Sequence, residues 1–239
     1  MNLEQKKVLI IGGSSGMGLG IAKATAEAGA ELHIASRSAK KLAAAAEQIP
    51  GDVQTHTVDL TDETSIAALT AEMGALDHLV ITGGYVATGP FLEFPEDGAR
   101  NLHEVIFWGK YHAAKYAAPI IREGGSITFI SGIYSHKATA DAVALASSLG
   151  AVEALGRALA IALAPTRVNT ITPGMVDTPL VLPGAPKEDR DAFLASIASY
   201  LPAKTVGTPQ DIAQLALVLM TNPFMTGSTV LIDGGFTLV

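Results

Sequence analysis

The sequence predicts an α/β fold in which one doubly wound parallel sheet carries helices on both faces. Short apolar runs rich in β-favouring residues alternate with longer helical stretches, and short links join them. This alternation is typical of parallel strands connected by helical crossovers. The 239 residues fit one large domain, and no repeat, low-complexity tract or linker divides them. We therefore expect a single domain over residues 1–239.

Seven apolar runs are predicted as strands. Breaking signals follow two of them, since Thr82-Gly83-Gly84 comes after the fourth run and Pro173-Gly174 after the sixth. The predicted strands are residues 8–11, 31–35, 53–58, 78–81, 126–131, 167–171 and 229–232.

Seven stretches with helical character lie between and after these strands. Gly29 closes the first, Thr61 or Asp62 can cap the third, and Pro119 lies near the end of the fourth. The predicted helices are residues 21–28, 39–48, 63–73, 101–121, 142–164, 187–200 and 209–220. Residues 175–206 are otherwise irregular and contain prolines, so we expect a substrate-loop or lid segment there, and the sequence leaves open whether 179–200 closes over the site.

Composition excludes several functional classes. There is no cysteine, which excludes disulfides, a thiolate nucleophile and cysteine-ligated metals, and the six histidines lack metal-binding spacing. The net charge is −7 with no basic tract, so we expect no nucleic-acid partner. The N-terminal residues lack a long apolar region, and no apolar run reaches the ~18 residues of a membrane span. We expect a soluble, cytoplasmic protein without a metal or a membrane partner.

The chain is organised around a glycine-rich turn after the first strand. The run Val8–Ile11 leads directly into Gly12-Gly13-Ser14-Ser15-Gly16-Met17-Gly18-Leu19-Gly20, and an Ala-rich helix follows. Glycines allow a tight turn, and the free N–H groups at a helix start bind phosphate. The stretch therefore predicts a dinucleotide-binding cradle formed by Gly12, Ser14, Ser15, Gly16, Met17 and Gly18.

The spacing of these glycines, G-x-x-x-G-x-G, resembles the short-chain dehydrogenase/reductase family. Segments 167–179 and 226–235 resemble further motifs of that family, so the resemblance covers nearly the full chain. It implies a Rossmann-type fold, an adenine contact by Asp59, and nicotinamide contacts by Val176 and Thr178. The other residues that it places at the cofactor are Leu60, Gly83, Gly84, Pro173 and Gly174.

Cofactor preference is predicted from the end of the second strand. A carboxylate there would accept hydrogen bonds from the ribose of NAD and repel a 2′-phosphate. This chain has Ser36 at that point, followed by Arg37, whose permanent charge and fork of donors suit phosphate. The pair favours NADP(H) over NAD(H), although Ser15 stands where many NADP-binding relatives place a second basic residue.

The resemblance implies four catalytic positions, and this chain fills them with residues that cannot perform the family's chemistry. Aligned on residues 152–155, the tyrosine and lysine positions are Leu145 and Leu149, and the serine position is Gly132. Aligned on Gly109, the asparagine position is Ile106. A shifted alignment does not restore the set, because residues 138–165 contain no tyrosine or lysine. We therefore predict that the standard proton relay is absent.

Three other side chains are candidate proton donors. Ser131 ends the fifth strand, and Tyr134 and His136 lie on the loop after it, which in this fold overhangs the substrate. An unperturbed tyrosine has a pKa near ~10, so donation at neutral pH needs a neighbouring cation. An ordinary loop or packing role is the alternative for each of them.

Three functions stay open on the sequence. One is an atypical NADP(H)-dependent oxidoreductase that reduces an activated, apolar small molecule. The second is a non-redox enzyme, such as a cyclase or isomerase, that reuses the pocket. The third is a nucleotide-binding regulatory or partner protein without catalysis, since a fold alone does not decide function. In each case the resemblance implies a homodimer or homotetramer that packs through the two long helices.

Overall fold

In the computed structural model, which describes residues 2–239, seven parallel strands form one sheet. The strands are β1 (Lys7–Ile11), β2 (Glu31–Ser36), β3 (Val53–Thr57), β4 (Leu76–Ile81), β5 (Ile121–Ile130), β6 (Arg167–Pro173) and β7 (Thr229–Ile232). Their order is β3-β2-β1-β4-β5-β6-β7, so the direction of winding reverses between β1 and β4. Ligands of open α/β sheets bind at such a reversal.

Eight α-helices accompany the sheet within the described residues. They are α1 (Gly16–Glu27), α2 (Ala39–Ala46), α3 (Glu63–Met73), α4 (Glu96–His103), α5 (Gly109–Ala117), α6 (Val143–Ala162), α7 (Lys187–Tyr200) and α8 (Pro209–Thr221). A π-helical turn, Glu104–Trp108, joins α4 to α5.

Each face of the sheet has its own apolar core. Alternate side chains of a strand point to opposite faces, so Leu9 and Ile11 pack on one side and Val8 and Ile10 on the other. Helices α3, α5 and α6 supply the first core, and α1, α2 and α8 supply the second. Both faces are therefore covered, and the predicted α/β fold class is confirmed. The first residue of the predicted domain 1–239 lies outside the described residues.

Two predicted helices differ from the structure by five residues or more, and three others by one or two residues at their ends. The first begins at Gly16 rather than residue 21, because Ser15 has the extended backbone of an N-cap and the later glycines of the turn continue as helix. The predicted helix 101–121 begins earlier, at Glu96, and the π turn divides it into α4 and α5. Ile106 is the buried residue of this π turn.

The fifth strand begins at Ile121 rather than residue 126. Its first residues, Arg122 and Glu123, are exposed and polar, so the apolar pattern starts only at the buried half of the strand. Helix α3, helix α7 and strand β7 have the predicted bounds, and Asp62 caps α3 by accepting a hydrogen bond from Thr64 N at 2.9 Å.

Helix α6 has the length and average hydropathy of a membrane span, contrary to the expectation that no segment would have them. Ser147, Ser148 and Glu153 interrupt its apolar sequence, but the average over the helix stays high. The helix packs on β6, with Leu145 and Val152 in the core. Core helices of soluble proteins can have the same length and mean hydropathy, so these two properties are weak evidence for a membrane span.

Arg167 connects the sheet to the end of α8 and offers a test of this packing. Its buried guanidinium donates to Leu219 O at 2.5 Å, to Met220 O at 2.7 Å and to Met225 O at 3.3 Å. Arg167→Met leaves these carbonyls unpaired, so we expect the free energy of unfolding to fall by about 3 kcal/mol in urea titrations. The exposed Arg157, replaced by Met as a control, is expected to cost under about 0.5 kcal/mol. Equal losses in the two variants would contradict this role.

Candidate functional site

A cavity of about 620 Å³ lies at the carboxyl ends of β1, β2 and β4, where the winding of the sheet reverses. Most of the residues that the sequence assigned to a dinucleotide line it, namely Gly12, Ser14, Ser15, Gly16, Met17, Gly18, Arg37, Asp59, Leu60, Gly83, Gly84 and Thr178. Pro173, Gly174 and Val176 do not line it.

The floor of the cavity is the glycine turn between β1 and α1. Gly12 has a φ of +89°, and a Cβ on Gly18 would lie 2.1 Å from Gly12 O and 2.7 Å from Thr82 Oγ1. The turn therefore admits no side chain at Gly18. The N-cap Ser15 makes no side-chain hydrogen bond to the start of α1, so the first N–H groups of the helix are not occupied by a side-chain cap. This arrangement fits a pyrophosphate.

Two positively charged side chains line the cavity near the end of β2. Arg37 and Lys41 both line it, on either side of Ser38, and both residues are exposed. Ser36 Oγ is buried there without a hydrogen-bond partner in the described chain, which is the property of an atom that a ligand satisfies. Sequence reasoning missed Lys41. Its signal was its position in the first turn of the helix that follows Arg37, since α2 begins at Ala39 with Ser38 as its N-cap.

Asp59 and Leu60, which follow β3, form another part of the cavity wall. Asp59 Oδ1 accepts hydrogen bonds from Thr61 N at 3.0 Å and Thr61 Oγ1 at 2.9 Å, which orients the carboxylate in the loop after β3. Leu60 packs against the glycine pair after β4, where a Cβ on Gly83 would lie 2.4 Å from Leu60 Cδ1. The wall is therefore formed by backbone and apolar surface beside one carboxylate.

Thr178, in the segment after β6, lines the cavity, whereas earlier residues of this segment pack against other parts of the chain. A Cβ on Gly174 would lie 2.7 Å from the Asp233 Cα, and Val176 pairs with Gly207 in a β-bridge. Arg190 of α7 donates to Thr178 O at 3.2 Å and forms an ion pair with Asp177. Through Arg190, helix α7 is thus connected to the loop that carries Thr178.

The four positions matched to the family's catalytic set lie close together beside this cavity. Leu145, Leu149 and Ile106 are buried, and a Cβ on Gly132 would lie 3.2 Å from Leu149 Cδ1. Ile106 Cγ1 lies 3.9 Å from the Cβ position of Gly84, which lines the cavity. These side chains offer an apolar surface with no titratable group.

The three candidate proton donors lie outside the lining of this cavity. The buried Ser131 donates its hydroxyl proton to Leu149 O at 3.1 Å. Burial, with the nearby Asp141 and Tyr200, raises the pKa of Tyr134, which makes it a poorer acid. His136 Nε2 lies 3.0 Å from Glu153 Oε2. Each side chain is therefore engaged in local structure.

Glu153 is a buried carboxylate that sequence reasoning used only as an alignment landmark. Its Oε1 accepts hydrogen bonds from Ser135 Oγ at 2.6 Å and Thr172 Oγ1 at 2.9 Å, and its Oε2 faces His136. Buried carboxylates need such partners. The cluster joins α6, β6 and the loop after β5, which makes a packing role sufficient to explain it. Among residues 2–239, no group of three or more His, Asp or Glu side chains has an arrangement that suits a metal ion.

The family model described as enoyl-(acyl carrier protein) reductase matches residues 12–237. Among curated proteins, the chain is 32% identical to a short-chain dehydrogenase/reductase, ATR9, of Stachybotrys chlorohalonatus, over 98% of this chain and 97% of that protein.

Two solved structures are also similar. A small-chain dehydrogenase in complex with NADPH is 32% identical, with a TM-score of 0.85, over 99% of this chain and all of the other. A reductase/Diels-Alderase, MalC, from Malbranchea aurantiaca is 27% identical, with a TM-score of 0.92, over 99% of this chain and 98% of the other. The similarity to these proteins therefore extends along nearly the full chain, which includes the strands of the sheet and the glycine turn described above.

Proposed function

This chain is an oxidoreductase of the short-chain dehydrogenase/reductase family, and we propose that it uses NADP(H) to reduce an activated, apolar small molecule without the family's tyrosine and lysine. The observation that carries the proposal is the cavity itself. It combines a cradle without side chains at Gly18 with the cations Arg37 and Lys41, while the neighbouring catalytic positions are Leu145 and Leu149.

The residues present fit the cofactor at each of its parts. The start of α1 would hold the pyrophosphate, Asp59 and Leu60 would border the adenine, and Thr178 would contact the nicotinamide end. Arg37 and Lys41 would bind a 2′-phosphate, and Ser36 Oγ would gain the hydrogen-bond partner that it lacks. NADPH in complex with the similar small-chain dehydrogenase supports this assignment.

The bound nicotinamide would supply hydride, and the chain would supply orientation and an apolar environment. Leu145, Leu149 and Ile106 exclude water beside the site and offer no proton. A plain carbonyl needs a general acid to accept hydride at neutral pH. An iminium carbon or a conjugated double bond is already polarised and does not need a strong acid. We therefore propose substrates of this activated kind, with Ser131, Tyr134 and His136 as remote candidates for proton delivery.

Charge reversal at Arg37 tests the cofactor assignment. Arg37→Glu removes a charged hydrogen bond to the 2′-phosphate, so we expect the Kd for NADPH to rise about 10- to 100-fold. The Kd for NADH, which lacks that phosphate, is expected to change less than about 3-fold. Fluorescence titration of both cofactors measures this, and Lys40→Glu, beside the cavity-lining Lys41, is the matched control. Equal weakening of both cofactors would contradict the preference for NADP(H).

A second candidate function is non-redox cyclisation or isomerisation in the same pocket. The observation in its favour is the similarity to a protein described as both a reductase and a Diels-Alderase. An apolar, preorganised pocket can orient a reactive substrate without donating a proton. Turnover of a diene or enone panel with no NADPH oxidation would support it. Tight NADPH binding with no turnover of any kind would instead support a regulatory protein.

We also propose that the chain forms a homodimer or homotetramer in the cytoplasm. Trp108 of the π turn, Tyr111 on α5, and Val143 and Ile161 on α6 are exposed, largely apolar side chains on the two long helical segments that would pair. Light scattering behind a sizing column measures the assembly. A monomer at micromolar concentration would contradict it.

A further inference from the structure

Helix α5 carries a lysine inside the protein. Lys110 is 1% exposed, and its Nζ donates to Gly83 O at 2.7 Å. No carboxylate forms an ion pair with it in the described chain, although an ammonium group has three protons to donate. Buried lysines are normally paired, so an unpaired one requires a functional explanation.

The carbonyl that Lys110 holds belongs to the wall of the cavity. Gly83 and Gly84 both line it. Because a trans peptide is planar, its C=O and N–H groups point in opposite directions. Because Gly83 O accepts from Lys110 Nζ, the N–H of Gly84 points away from Lys110, and it makes no hydrogen bond within residues 2–239. Lys110 thus holds a peptide of the cavity wall whose N–H is left without a partner in the protein.

The charge of Lys110 is not balanced by its surroundings. The ionisable groups on α5 and on the elements that contact it form no ion pair with Lys110 within the described residues, and they are Asp59 before α3, Glu63 and Glu72 of α3, Glu104 of the π turn, Asp77 and His78 of β4, Arg122 and Glu123 of β5, and Tyr111, His112, Lys115 and Tyr116 of α5 itself. Glu63 accepts a hydrogen bond from the Tyr116 hydroxyl, and Asp77 forms ion pairs with Lys6 and Arg122. Burial alone lowers the pKa of Lys110, to about 7.

We propose that Lys110 is a positioning residue of the dinucleotide site, which orients the Gly83–Gly84 peptide and whose charge is stabilised when an anionic dinucleotide fills the cavity. This inference rests on the proposed function, because it requires a dinucleotide in that cavity. The negative charge of the phosphates stabilises the protonated lysine. The pKa of Lys110 therefore rises on binding, and Nζ takes up a proton. The charged form of the buried lysine is therefore favoured when the dinucleotide is bound.

The test is calorimetry of NADPH and NADH binding at pH 7.5 in two buffers with different ionisation enthalpies. A rise of about one unit in the Lys110 pKa on binding corresponds to uptake of roughly half a proton per site. Lys110→Met, of similar length and without a charge, is expected to lose this uptake and to bind about 10-fold more weakly. Lys115→Met, on the exposed side of the same helix, is the matched control and is expected to behave as the parent protein.

A readout without ligand keeps the test independent of activity. The unfolded chain binds more protons than the folded one between pH 7 and 10, because burial lowers the folded pKa of Lys110 from 10.5 to about 7. The stability of the parent protein should therefore rise with pH in this range relative to Lys110→Met. Equal proton uptake in the parent and Lys110→Met would overturn the inference alone. Failure of both cofactors to bind the parent protein would overturn the proposed function as well.

Discussion

Replacing Gly18 by alanine is expected to remove dinucleotide binding. A Cβ at this position would lie 2.1 Å from Gly12 O and 2.8 Å from the Gly12 carbonyl carbon, and real Cβ atoms do not approach other atoms so closely. The backbone of the turn must move, and the N–H groups at the start of α1 then lose their aim at the pyrophosphate. We expect the Kd for NADPH to rise at least about 100-fold, a loss of about 3 kcal/mol.

Gly150→Ala is the matched control for this substitution. Gly150 lies within α6, and a Cβ there would meet nothing within 4 Å. Alanine is the better helix former, so we expect a gain of about 1 kcal/mol in unfolding free energy and unchanged NADPH affinity. Fluorescence titration and urea unfolding of both variants separate lost binding from lost folding. Normal NADPH affinity in Gly18→Ala would show that the cradle is not the binding site.

Placing serine, tyrosine and lysine at the three positions that we propose to match the family's catalytic set is expected to create carbonyl reduction. Leu145 and Leu149 are one helical turn apart, and the Cβ position of Gly132 lies 3.2 Å from Leu149 Cδ1, so the three positions converge. The triple variant Gly132→Ser, Leu145→Tyr, Leu149→Lys would supply a hydroxyl and a proton donor with a nearby cation. A positioned general acid contributes about 10²- to 10⁴-fold, and we expect NADPH oxidation by aromatic aldehydes to rise by at least the lower value.

The control for the triple variant keeps the pocket apolar. Leu145→Phe with Leu149→Met changes shape without adding a polar group and is expected to leave aldehyde reduction at the parent level. Because Leu149 is buried, a lysine there is costly, so circular dichroism and NADPH affinity must first show that the triple variant is folded. A folded, NADPH-binding triple variant without any gain would contradict the proposal that only the proton relay is missing.

Local sequence patterns were sufficient for the architecture. The run Val8–Ile11 is the strand that its apolar character predicted, and Asp62, one of the two predicted capping residues, caps α3. The glycine spacing predicted the position of the turn, because the turn leaves no room for a Cβ at Gly18 and only glycine fits there. Strand periodicity, helix caps and backbone sterics all act over a few neighbouring residues, so they can be predicted without the fold.

The placement of polar groups was decided by the tertiary structure. In sequence, Lys110 and Lys41 are two ordinary lysines on helices, yet one is buried against Gly83 O and the other lines the cation end of the cavity. Glu153 looks like a helix-surface carboxylate, but it accepts hydrogen bonds from the loop after β5 and from β6. Burial and hydrogen bonding depend on residues far along the chain, 27 positions away for Lys110 and 19 for the bond from Thr172 to Glu153. The dinucleotide cradle thus follows from local backbone chemistry, whereas the charges around it follow from the packing of distant elements.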